Sequence, residues 1–179
     1  GVFAYFSGWV NDKPEGSPTY GITFSTVYTD QLGLAYDDVY RGLIEEMGAE
    51  HVRLPIYWSE VEHENNEYDW SRFDWIFDFS EQNGVSLTPV VGIKVPRWPE
   101  CFIPDWAEKL SSTYQHHEVL DFISMTVERY KDSSAVVRWQ VENEPFFPFG
   151  ECPNMTNVEF QERVDLVRSI DDKPIQVTV

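Results

Sequence analysis

The chain has 179 residues, enough for one domain with its own core, and a formal charge of −18. That charge argues against nucleic acid and anionic membranes as partners, because both are gripped by basic patches. It favours a neutral substrate over a phosphorylated one and serves solubility equally well.

Residues 1–20 fit no strand or helix unit and read as an N-terminal extension lying across the bottom or edge of the domain formed by residues 21–179. Gly21–Tyr28 is rich in β-formers and reads as a first strand. A first helix follows over 37–48, with Val39, Leu43, Ile44 and Met47 on one face, acids in its first turn and Gly48 as its stop. His51–Tyr57 reads as a second strand, Ser71–Gln82 as a second helix with Phe73, Ile76 and Phe77 inward, and Val85–Val91 as a third strand. The loop beyond it is broken by Pro96, Pro99 and Pro104. A third helix is expected over about 117–131, with Val119, Phe122, Ile123, Val127 and Tyr130 inward. The fourth strand covers 136–145, the fourth helix starts near Thr156–Asn157 with Phe160, Val164 and Val167 as its stripe, and a fifth strand starts at Ile175.

Five strands in alternation with four helices imply right-handed βαβ units and a parallel sheet. A doubly wound sheet would carry a Gly-rich phosphate turn after its first strand, and Thr29–Leu34 is not one. A (β/α)8 barrel places polar side chains at the inner top of its strands, which suits Arg53, Gln140, Glu142 and Glu144. The expected fold is therefore α/β, a partial barrel of the (β/α)8 type.

The fourth strand carries the chemistry. Val137, Trp139 and Val141 alternate with Arg138, Gln140 and Glu142, and Pro145 ends the ladder with Glu144 at the strand's carboxyl end. Glycosidic cleavage needs a carboxylic acid to protonate the leaving oxygen and a second carboxylate across the sugar; Glu144 is suited to the first role. Asn143 can bond a sugar 2-hydroxyl or close an Asx turn. Arg53, on the polar face of the second strand, either holds a catalytic carboxylate ionised or pairs with Glu142 in the interior.

Some of the 7 Trp, 9 Tyr and 12 Phe are core, but so many Trp also suit a site that stacks flat ligands, and sugars present apolar faces to flat rings. Trp58, Trp98, Trp106 and the run Phe146-Phe147-Pro148-Phe149 fall in loops after strand ends, as subsite walls or plugs of the barrel mouth. Lys94, Arg97, Glu100 and Glu142 are further candidates to meet sugar hydroxyls. Cys101 and Cys152 lie in neighbouring loops on one face, so a disulfide is open to them in an extracellular setting. Asn154-Met155-Thr156 is a glycosylation sequon for a eukaryotic secretory setting. The acidic run 62–67 has ligand-type residues without metal spacing, and no motif asks for a metal or cofactor.

At these residues the chain resembles the retaining (β/α)8 glycoside hydrolases of clan A, the superfamily of cellulases, mannanases and β-galactosidases. Trp139-Gln140-Val141-Glu142-Asn143-Glu144-Pro145 matches the fourth-strand signature, whose Glu is the acid/base, and Arg53-Leu54-Pro55-Ile56-Tyr57-Trp58 resembles the second-strand motif whose Arg contacts the nucleophile. Glu67-Tyr68-Asp69-Trp70-Ser71-Arg72-Phe73-Asp74 resembles the approach to the second helix, with Glu67 where Gly is commoner, and Val95-Pro96-Arg97-Trp98-Pro99-Glu100 the third-strand loop of some members.

The resemblance implies a retaining β-glycosidase acting on an oligo- or polysaccharide, extracellular or at the cell surface, with Glu144 as acid/base. It covers about five-eighths of an eight-strand barrel. The nucleophile in this superfamily ends the seventh strand, so no glutamate here takes that role, and Glu142 lies too close along the strand to sit across the sugar. The missing barrel half is expected from the same polypeptide, a second copy or another chain. The alternative is a non-catalytic carbohydrate-binding or scaffold half barrel that pairs with another chain.

Overall fold

The computed structural model describes residues 19–178. The extension expected over 1–20 thus lies almost wholly outside the described residues. The elements run β1 (Gly21–Thr23), α1 (Thr26–Gln31), α2 (Tyr36–Glu45), β2 (His51–Pro55), α3 (Trp58–Val61), α4 (Ser71–Gln82), β3 (Ser86–Val91), α5 (Ser112–Tyr130), β4 (Trp139–Val141), α6 (Asn157–Ile170) and β5 (Ile175–Gln176).

All neighbouring strands pair in parallel, in the order β1-β2-β3-β4-β5. A doubly wound sheet reverses its strand order at a switch point; a barrel does not. The uninterrupted sequential order makes this the arc of a (β/α)8 barrel. Inside the arc the register stacks a polar layer: Arg53 lies opposite Thr88 across β2 and β3, and Gln140 opposite Gln176 across β4 and β5. His51 bonds Thr88 at 2.8 Å, and Gln176 donates to Gln140 at 3.3 Å. Outside the arc, Leu54, Leu87, Trp139 and Val141 meet Ile76, Phe122, Val127 and Val167 from the helices in one apolar core.

The helices α4 and α5 bury the stripes expected of them, α6 buries Val164 and Val167 with Phe160 half-buried, and Thr156 caps α6 in a reciprocal box with Glu159. The first strand is shorter than expected. Only three residues pair with β2, and Ser25 then caps α1 by accepting the Tyr28 N–H at 3.2 Å, so Thr26–Tyr28 becomes helix despite its β-branched content. α2 ends at Glu45, which leaves Met47 in the exit turn and 69% exposed; the fully buried residue of that helix is Tyr40, whose hydroxyl bonds Ser80 at 2.7 Å. β4 is likewise only three residues long, and Val137, read as part of its apolar face, is exposed.

Candidate functional site

The carboxyl ends of β2 to β5 meet around Arg53. Its Nε donates to Gln140 Oε1 at 2.8 Å and its Nη2 to Asn143 Oδ1 at 2.6 Å. A guanidinium only donates, so Asn143 must turn its oxygen to Arg53 and keep its amide N–H groups for another acceptor. Thr178, just past β5, adds a second hold: its hydroxyl accepts the Glu144 backbone N–H at 2.9 Å and lies 3.4 Å from Asn143 Oδ1. Glu144 is half-buried at this junction, with a left-handed φ of 46°. Burial, and after it the charge of Arg97, lowers the pKa of the Arg53 guanidinium, while the Glu144 and Glu100 carboxylates act to raise it. Arg53, Asn143 and Glu144 thus come together as one cluster.

Glu142 does not join it. A period of two would put Glu142 beside Gln140 in the barrel interior. The ladder ends at Val141, however, and Glu142 takes φ 58°, which turns its side chain away. Asn143 fills the place beside Arg53 instead. The Glu142 carboxylate is fully buried and accepts from Arg163 Nη1, the Ile93 N–H (3.1 Å) and the Lys94 N–H (2.6 Å). The sugar contact and the Arg53–Glu142 ion pair considered from the sequence are both corrected by this arrangement: the cation is Arg163 from α6, and the carboxylate has no solvent face.

Trp58 is also corrected. It is fully buried, stacks on Phe122 with centroids 5.9 Å apart and donates to Glu62 Oε2 at 2.7 Å. The turn after β2 is itself a short helix, α3, which folds the ring outward into the layer between sheet and helices. Trp106 packs edge-on to Trp58 and donates to Glu62 O at 3.0 Å, so Glu62, within the acidic run, is a buried acceptor.

Lys94 is buried, and its ammonium serves the protein: it donates to Glu144 O (3.0 Å) and Phe147 O (2.5 Å) and lies 3.5 Å from Glu100 Oε2. The expected hydroxyl contact gives way to a structural one, because three acceptors from two loops converge on this cation. Burial raises the pKa of the Glu100 carboxyl, opposed by Lys94 and reinforced by Glu144. Arg97 reaches towards β1, 3.5 Å from Thr23 O and 5.5 Å from the Tyr28 ring centroid. Trp98, Phe147 and Phe149 remain exposed at the mouth, with Trp98 and Phe149 edge to face at 5.8 Å. A shallow cavity of about 210 Å³ beside them is lined by Phe146, Phe147, Phe149, Met155 and Lys94.

A Cys101–Cys152 disulfide ties the loop after β3 to the loop after β4. It closes a span of 51 residues, for which chain entropy predicts a stabilisation of about 4 kcal/mol. Replacing both cysteines by serine is expected to lower the denaturant midpoint accordingly. An unchanged midpoint would mean that the two loops are held by the Lys94 cluster alone.

Arg163, Thr178 and Gly92 were missed from the sequence. Arg163 had a readable signal: it shares the buried stripe of α6 with Phe160, Val164 and Val167, and a charge on an apolar stripe needs a buried partner. Gly92, directly after β3, fits the general meaning of a glycine at a strand end, a close approach by another group. Nothing marked Thr178.

The Glycosyl hydrolase family 10 pattern matches residues 36–164. The chain belongs to glycosyl hydrolase family 10. This agrees with the clan A resemblance of its fourth strand.

The family 10 chain is 25% identical to the β-galactosidase LacZ of Heyndrickxia coagulans, over 62% of its own length and 19% of that protein. Its fold is similar to that of the GH5_18 protein of Streptomyces cattleya in complex with GlcNAc, with a TM-score of 0.68 and 14% identity, covering 90% of this chain and 44% of that one. It is similar again to the exo-beta-1,4-mannosidase Op5Man5 from Opitutaceae bacterium strain TAV5, with a TM-score of 0.62 and 16% identity, covering 85% and 30%. The chain therefore spans less than half the length of each of these relatives.

Proposed function

We propose that this chain carries the acid/base half of a retaining β-glycosidase. The supporting observation is the cluster of Arg53, Asn143 and Glu144 at the carboxyl ends of β2 and β4, where barrel enzymes hold their reacting groups. Glu144 protonates the leaving oxygen and then deprotonates the attacking water. Asn143, its oxygen occupied by Arg53, offers its amide N–H to a sugar hydroxyl, a contact that tightens as the oxocarbenium-like transition state forms. Arg53 sets the orientation of Asn143 and supplies positive charge beside a nucleophilic carboxylate. Glu142 is engaged with Arg163, so the nucleophile comes from strands beyond those described. The substrate is a neutral oligo- or polysaccharide, in keeping with the charge of −18, and Trp98, Phe147 and Phe149 line its path. The disulfide supports an extracellular or cell-surface location.

The test is turnover of chromogenic β-glycosides by a protein in which this chain is joined to the remaining strands of its barrel, with the anomer of the first-formed product read by NMR. Release of the β-anomer is expected. Release of the α-anomer would overturn the retaining mechanism, and binding without turnover would favour the carbohydrate-binding alternative.

A further inference from the structure

The Glu142–Arg163 pair lies behind the site and cannot touch a sugar, yet every bond it makes leads to the strand ends that form the site. We infer that Arg163 and Glu142 are positioning residues, a buried charge lock from α6 that aims the Glu144 carboxyl. The inference rests on the acid/base reading of Glu144.

The carboxylate of Glu142 is held from three sides, by Arg163, which is only 3% exposed, and by the successive N–H groups of Ile93 and Lys94. Charge-assisted bonds of this kind are shorter and stronger than neutral ones. The carboxylate also occupies the space over Gly92, where a Cβ would come within 2.0 Å of Oε1. Glu142 thereby joins the exit of β3 to the exit of β4. Two further bonds set the register of that joint: Glu142 N–H to Val91 O at 2.9 Å and Asn143 N–H to Lys94 O at 2.7 Å.

The backbone here is costly. Glu142 and Glu144 are both left-handed, at φ 58° and 46°, a region that non-glycine residues leave unless their surroundings hold them in it. The lock supplies that hold. It fixes Glu142 directly and reaches Glu144 through Lys94, whose N–H is bound by Glu142 and whose ammonium is bound by Glu144 O. An apolar pair of similar volume generally serves stability as well as a buried ion pair does. What the charges add here is direction: one guanidinium N–H and two successive backbone N–H groups converge on a single carboxylate.

The test compares kcat/KM on two β-glycosides of the same sugar, in the protein carrying the whole barrel. A dinitrophenyl glycoside has a leaving group that departs without a proton; a methyl glycoside needs one. Two variants are used: Arg163→Lys, which keeps the charge, and Glu142→Gln combined with Arg163→Gln, which leaves no lone buried charge. Each is expected to lose about 10- to 100-fold on the methyl glycoside and less than about threefold on the dinitrophenyl glycoside. Glu144→Ala is the reference and should show the same split more strongly. A general loss of folded protein would lower both substrates equally. Equal losses in the lock variants, or none, with the split intact in Glu144→Ala, would overturn the positioning role and leave the acid/base reading standing. No split in Glu144→Ala would overturn both.

Discussion

Replacing Glu144 by Gln, in a protein that completes the barrel, is expected to lower hydrolysis of unactivated β-glycosides by about 10²- to 10⁴-fold while sugar affinity changes little. Glutamine keeps the length and shape of the side chain but neither donates a proton to a leaving oxygen nor removes one from water. The neighbours that would bind the sugar are untouched: Asn143 keeps its bond to Arg53 and the Glu144 backbone keeps its bond to Thr178. The loss should therefore appear in kcat. Near-normal turnover of the variant would remove Glu144 from the mechanism. A matching rise in KM would make it a binding residue only.

Gly92→Ala is expected to cause the largest loss of stability among single changes near the site. Gly92 has φ 130°, which side chains rarely adopt, and a Cβ there would lie 2.0, 2.3 and 2.7 Å from the three atoms of the Glu142 carboxylate. Breaking a buried ion pair costs about 3–5 kcal/mol, and an unfavourable φ adds about 1–3 kcal/mol. Because stabilities of single domains are of the order of 5–15 kcal/mol, the variant should unfold at a much lower denaturant concentration. Gly42→Ala is the control: it lies within α2 with nothing within 4 Å of a new Cβ, and should stabilise by roughly 0.5–1 kcal/mol. A Gly92→Ala midpoint like that of the control would show that the carboxylate has another place to go.

Much of the fold could be read from residue order. The stripes of α4 and α5 have a period set by the helix itself, and their expected apolar residues are buried, as are Val164 and Val167 of α6. The strand–helix alternation led to a parallel sheet, and the lack of a phosphate turn led to a barrel arc. Local chemistry misled where two local signals competed. At Thr26–Tyr28 the cap from Ser25 outweighed β-propensity, and at Met47 the helix ended before the period did. The candidate cluster was legible where it lay in one motif: Asn143 and Glu144 stand beside Pro145 in the sequence, and Arg53 lies on the polar face of its strand.

The sequence by itself determined which strand ends the candidate residues occupy, because strand period, proline and the Asn-Glu pair are properties of a few consecutive residues. Only the tertiary structure decided which of those residues face the cleft. Left-handed turns at Glu142 and Glu144 break the period of two, and α3 turns Trp58 into the core. Lys94 and Glu142 changed from candidate sugar contacts to buried supports for the same reason. The partners that come from elsewhere, Phe147 for Lys94 and Arg163 for Glu142, belong to another loop and to another helix. Pairing over such separations depends on how elements pack, and the neighbours of a residue along the chain carry little of that information.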